Sequence, residues 1–174
     1  QSNQREKAIT TWQRFEREHS ASPRMPDVLY ALGIGQSEMG NRKEAAATLK
    51  KFADSFATNK LADDVALWRA DIAIALNAPA DAETILAPVA AGKGPRAAES
   101  LERLGTAYWN QKKWAESAAA FGRIADEFPT SKQADRAALY SGMALIEAKK
   151  PEAARPRLEK IIAANGVKAV EASH

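Results

Sequence analysis

Residues Leu101 to Pro129 read LERLGTAYWNQKKWAESAAAFGRIADEFP, and the fold of the whole chain follows from this stretch. Gly105 lies inside a helix-forming run, and Lys112-Lys113 interrupts that run. Ser117, Phe121 and Ile124 then mark one face of a second helix, at spacings of four and three, before Phe128 to Ser131 closes it. A residue without Cβ at Gly105 lets the first helix approach the small residue Ser117 of the second, while the large pair fills the seam toward a neighbouring unit. The stretch therefore reads as a helical hairpin.

Working outward, the same register recurs. Small residues fall at Gly33, Ala70, Gly105 and Gly142, at intervals of about 37, 35 and 37 residues. Each is followed by a second small residue (Ala45, Ala82, Ser117, Ala154), a large apolar one four on (Leu49, Leu86, Phe121, Leu158) and another three on (Phe52, Val89, Ile124, Ile161). Ala8, Trp12 and Phe15 repeat the second-helix pattern once more, without a first helix before them. The expected layout is a half repeat at 4–20 and repeats at 26–57, 62–92, 97–129 and 134–165, with a further helix beginning at 167–174 after a helix stop at Asn165-Gly166. Both ends then read as continuing into a longer array, with Trp12 and Phe15 exposed at one of them.

Composition agrees. The chain has 174 residues and 45% hydrophobic residues, enough for one domain or a short repeat array with a real core, and alanine with Leu, Glu, Lys and Arg gives a helix-forming background almost devoid of strand signals. No apolar stretch is long enough to cross a bilayer. Twenty-five Lys and Arg are interspersed with 22 Asp and Glu for a net charge of +3, which leaves no basic stripe for nucleic acid. The absence of cysteine excludes disulfides, thiol catalysis and Cys-based metal sites.

Repetition in this register resembles the tetratricopeptide repeat, whose signature positions are matched by Leu104, Gly105, Tyr108, Ser117, Phe121, Ile124 and Pro129, and in the first complete unit by Leu29, Leu32, Gly33, Ala45, Leu49 and Phe52. The resemblance implies an all-α, right-handed α-solenoid of helical hairpins spanning residues 1–174 as one domain. The long period and segments such as Glu127 to Ser131 resemble the bacterial envelope subgroup, which includes the periplasmic partner of the Tol–Pal system and the lipoprotein of the outer-membrane β-barrel assembly machine. That implies a periplasmic adaptor, with the cytoplasm as the alternative. Two features depart from the pattern: Pro88 and Pro156 fall inside second helices, where kinks are expected, and the third unit carries Ala70 for glycine and Arg69 for leucine.

Catalytic chemistry finds little support. His19 and His174 are the only imidazoles and neither has a second ligand at metal spacing. Gly33-Ile34-Gly35 has no preceding strand, and Gly92 to Arg96 lacks phosphate-loop spacing, so both read as packing or turn features. Asp63-Asp64 suits a helix N-terminus better than a paired acid and base. No enzyme activity, metal or cofactor is implied.

The resemblance places first helices on the inner face of the solenoid. Carried over unit by unit, the groove positions are Tyr30, Ile34 and Glu38; Leu67, Trp68, Asp71 and Ile74; Glu102, Thr106 and Trp109; Leu139, Tyr140, Met143 and Ile146. Tyr30, Ile34, Leu67, Trp68, Asp71, Trp109, Leu139, Tyr140 and Met143 are the candidate partner-binding set, since aromatics offer large rigid contact area with a polar handle. Helical spacing alone leaves Trp68 and Tyr140 divided between groove and inter-repeat packing. The Lys and Asn clamp used by relatives that capture a carboxylate is missing, so an apolar peptide or protein segment bearing basic residues is the expected ligand. Two alternatives stand beside this scaffold reading: self-association through open ends carrying Trp12, Phe15 and Ile161-Ile162, and an accessory role in a larger enzyme.

Overall fold

In a sequence this rich in helix formers, the architecture is decided by where helices stop. Four stops are built alike. Gly40, Asn77, Lys112 and Lys149 take positive φ (82°, 61°, 58° and 58°), each seven residues after the small residue of its first helix. The N–H of the next residue then donates back into the last turn: Asn41 to the Gln36 carbonyl, Ala78 to Ala73 and Lys113 to Tyr108 at 2.9 Å, and Lys150 to Leu145 at 2.8 Å. This closure satisfies carbonyls left over at the helix end and reverses the chain within a few residues.

The computed structural model describes the backbone of residues 2–171 and the side chains of residues 4–163. Within these, the helices are α1 (Ser2–Glu18), α2 (Met25–Glu38), α3 (Arg42–Ser55), α4 (Ala62–Ala75), α5 (Pro79–Ala91), α6 (Ala97–Asn110), α7 (Trp114–Glu127), α8 (Ala134–Glu147) and α9 (Pro151–Glu171). No strand occurs among the described residues. The four turns above join first helices α2, α4, α6 and α8 to second helices α3, α5, α7 and α9. Pro88 and Pro156 do lie inside α5 and α9. The stop expected at Asn165-Gly166 is not made, because α9 runs through both to Glu171; no closing turn forms there as it does after first helices. His174 lies outside the described residues.

The helices group into two compact units, Gln1–Val89 and Ala90–His174. In the first, Met25, Leu29, Leu49, Phe52, Val65 and Ile72 form a buried cluster with Ala45, and Phe15, Tyr30, Phe56, Leu61 and Trp68 pack partly buried against it. Full burial of each large side chain contributes about 1.5–3 kcal/mol. Trp12 and Phe15 are thus half-buried rather than exposed at an open end, since Trp12 lies against Gly35 of α2, where a Cβ would sit 3.2 Å from its ring. In the second unit, Leu101, Leu104, Phe121 and Ile124 are buried between α6 and α7, and α8 packs on α7.

The first-helix glycines are required by close approach, but to a different partner than expected. A Cβ on Gly33 would lie 2.4 Å from Leu49, one on Gly105 2.8 Å from Phe121, and one on Gly142 2.6 Å from Leu158. The glycine makes room for the large residue of the second helix. In the α6–α7 hairpin the small residue Ser117 donates its hydroxyl to the Gly105 carbonyl at 2.9 Å. In the degenerate third unit Ala70 is still fully buried, and burial holds the Arg69 guanidinium below its ordinary range while Asp54 opposes the shift.

The links after α1, α3 and α7 begin with a ring. Phe56 and Phe128 follow α3 and α7 in non-helical conformations, and His19 follows α1 at the same register. His19 tilts against Phe15 at 4.9 Å between centroids, as Phe56 tilts against Phe52 at 5.7 Å. The histidine is exposed and keeps a ring contact at the helix end.

Candidate functional site

The site grows out of the packing of Gly105. With no Cβ at Gly105, the Phe121 ring lies flat against α6, and Tyr140 of α8 stacks on Phe121 with centroids 5.3 Å apart and planes 27° apart. Tyr140 in turn meets the edge of Trp109 at 6.0 Å, and Trp109 is braced from the other side by Trp114 at 5.1 Å. Such edge-to-face pairs hold ring orientation better than apolar contact alone. A small residue in α6 thus fixes an aromatic wall shared by three helices of the second unit.

Opposite the wall stands a carboxylate. Glu102, one turn before Gly105, pairs with Arg136 from the start of α8; the Glu102 side chain is 24% exposed and that of Arg136 62%. Thr106 turns its hydroxyl onto the Glu102 carbonyl oxygen of the backbone at 2.9 Å, leaving its methyl available to the pocket. Glu102, Thr106, Trp109, Phe121, Arg136 and Tyr140 together enclose a pocket of about 350 Å³. Beside it, Leu139, Tyr140, Met143 and Ile146 are 38–49% exposed along one side of α8, an apolar stripe at helical spacing.

The sequence-derived set divides accordingly. Trp109, Leu139, Tyr140 and Met143 come together on the α6–α8 surface. Tyr30 and Trp68 pack their rings onto the first unit's core cluster, and Ile34 and Asp71 are half-buried. Leu67 is a correction: it is 5% exposed and belongs to the core. The position three before the small residue is a seam between neighbouring first helices, as its register mate Glu102 shows by reaching Arg136 of α8. Two acids among the expected groove positions are held in ion pairs, Glu38 with Arg5 at 3.5 Å and Glu102 with Arg136.

Sequence reading missed Arg136 and the part played by Trp114. A usable signal for Arg136 was present, because it stands 34 residues after the acid it pairs with, close to one repeat period. Also missed were three long-range contacts made by cations of second helices. Lys51 of α3 reaches Glu16 of α1 at 2.6 Å, Arg123 of α7 reaches the Ala90 carbonyl at 3.0 Å, and Arg157 of α9 reaches Asp126 of α7 at 2.8 Å. Lys51 and Arg123 occupy the same register, six residues after the small residue. A larger cleft of about 640 Å³ is lined by α7, α8 and α9, with four alanines and with Asp126, Asp135, Arg157 and Lys160 among its lining residues.

Among the described residues, no group of three or more His, Asp or Glu could hold a metal ion, and no helix is long and apolar enough to cross a membrane.

Comparison with known proteins bears on the repeat. A model of the tetratricopeptide repeat matches residues 27–59 and 99–131. No curated protein matches significantly. Among solved structures, a MamA crystal structure superposes with a TM-score of 0.75 at 18% identity over 96% of this chain and 86% of its own. MamA residues 41-end from Desulfovibrio magneticus RS-1 gives 0.68 at 17% identity over 91% and 84%, and YrrB, described as a TPR protein with an unusual peptide-binding site, gives 0.69 at 18% over 92% and 78%. At these identities the likeness is one of fold. The chain is an all-α protein of the helical-hairpin α-solenoid class, and its hairpins at residues 27–59 and 99–131 are similar to the tetratricopeptide repeat.

Proposed function

We propose that the chain is a protein-interaction scaffold that takes a peptide or partner segment on the α6–α8 surface of its second unit. The observation that carries this reading is the coincidence of a rigid aromatic wall with the exposed stripe of Leu139, Tyr140, Met143 and Ile146. A monomer's isolated apolar side chains need no explanation, but a contiguous stripe beside a pocket with one carboxylate has the composition of a binding surface. The peptide-binding site named for the fold relative YrrB supports the same reading. A bacterial-envelope setting belongs to the proposal too, supported by the long period and the Glu127 to Ser131 segment.

Photo-crosslinking tests it. Benzoylphenylalanine placed at Met143, and separately at the exposed Ala119 of α7, is expected to trap a partner from the source organism only at Met143. Capture of the same proteins from both positions overturns the reading.

A further inference from the structure

Glu102 is half-buried, and its carboxylate pairs with Arg136, an arginine that is itself mostly in solvent. The two members of the pair are therefore not equivalent. The carboxylate is set into the pocket by α6, with Trp109, Phe121 and Tyr140 around it, while Arg136 reaches in from the edge on a long side chain. Aromatic faces and a partly desolvated carboxylate both favour a cation, and neither favours an anion. An exposed ion pair holds its long arginine weakly, because ordering that side chain offsets much of the attraction.

We propose that Glu102 with its aromatic wall is a subsite for a basic side chain, arginine or lysine, of the bound segment, and that Arg136 occupies it in the free chain as an internal competitor. The proposal rests on the α6–α8 surface being the ligand-bearing one. A ligand's apolar residues then lie along Leu139, Met143 and Ile146, and its cation enters the pocket as Arg136 swings out to solvent. The displaced guanidinium stays hydrated, so the exchange costs only the resident pair.

The test uses the full chain at low ionic strength with N-acetyl-arginine methylamide and its uncharged citrulline counterpart, followed at the Trp109 indole N–H by NMR. The arginine probe is expected to shift this resonance and the citrulline probe to leave it unmoved. Arg136→Gln removes the competitor and is expected to tighten arginine binding roughly twofold to fivefold, the range an exposed ion pair commands. Glu102→Gln is expected to reduce the arginine response to the citrulline level. Equal responses to the two probes, arginine binding retained in E102Q, or no tightening in R136Q overturns the proposal. So does loss of folding in both R136Q and Arg136→Lys, which would make the arginine a structural strut. Crosslinking confined to Met143 with no arginine response sinks the subsite and leaves the scaffold reading intact; arginine binding without crosslinking does the reverse.

Discussion

Gly105 and Phe121 are matched so closely that a single added carbon would collide: a Cβ on Gly105 would stand 2.8 Å from the phenyl ring. Because Tyr140 stacks on the other side of that ring, the glycine acts on the binding surface through an intermediary. Gly105→Ala is expected to destabilise the chain by about 1–3 kcal/mol, since the ring must shift in a packed seam. It is also expected to weaken the near-ultraviolet circular dichroism of the Trp109–Tyr140 pair. A combined Gly105→Ala, Phe121→Leu chain recovers stability and leaves the aromatic signal weak; recovery of both would detach Tyr140 from this seam.

The hairpin turns make a prediction of opposite sign. Lys112 and Lys149 hold φ near 58°, which a side chain with a Cβ adopts at a cost, whereas Gly40 fills the same register without one. Lys112→Gly and Lys149→Gly are each expected to raise the free energy of unfolding by about 1 kcal/mol in urea titration. Gly40→Ala, where no atom lies within 4 Å of the added carbon, is expected to lower it by a similar amount from backbone conformation alone.

His19 stands where the second helices α3 and α7 are followed by phenylalanine. Histidine→Phe exchange at this position, His19→Phe, is expected to hold or raise the thermal midpoint, and His19→Ala to lower stability by about 1 kcal/mol through the lost contact with Phe15. A fall in midpoint for H19F would show that the imidazole has a use beyond its ring.

Arg123 supplies a pH signature. Its side-chain hydrogen bond draws the Glu127 carboxyl below the ordinary value of 4.5 and lifts Arg123 above its own. A depressed carboxyl adds stability that is present above pH 4.5 and disappears as the pH falls through the lower, folded-state value. The wild type is therefore expected to melt above Glu127→Gln at neutral pH, with the difference closing in acid and in high salt. A difference that persists below the carboxylate range would assign it to something other than this charge.

Ser100 is fully buried, and its hydroxyl has no hydrogen-bond partner among the described residues. Ser100→Ala removes a polar group without opening a void, so it is expected to stabilise by about 1 kcal/mol in urea titration. Destabilisation would mean that the hydroxyl is paired after all.

Much of the fold was legible because the repeat states its contacts several times over. The interval from Gly33, Gly105 and Gly142 to the large residue is the same in each unit, so the hairpin and its buried seam could be read from spacing alone. The site was legible only in part. Trp109, Tyr140 and Met143 could be placed on the first-helix face, but Leu67 and Tyr140 share that face in sequence and differ in burial, which depends on what the neighbouring helices bring against them. Arg136 was hidden for the same reason, since a charge on a helix end looks solvated until the helix beside it is known. The helix running through Asn165-Gly166 shows the limit of reading glycine as a stop when nothing after it closes the turn.

The recurrence of positive φ seven residues after each small residue, and of the next small residue twelve after the first, means that the turn region of every hairpin has one length. The intervals of about 37, 35 and 37 between units vary only downstream of that point, in the second helix and the link that follows. The chain therefore keeps its tolerance for insertion and deletion in those outer links. A residue added between Lys93 and Pro95, or between Thr130 and Lys132, lengthens a spacer, whereas one added between Gly105 and Ser117 rotates Phe121 off its glycine and takes the aromatic wall with it.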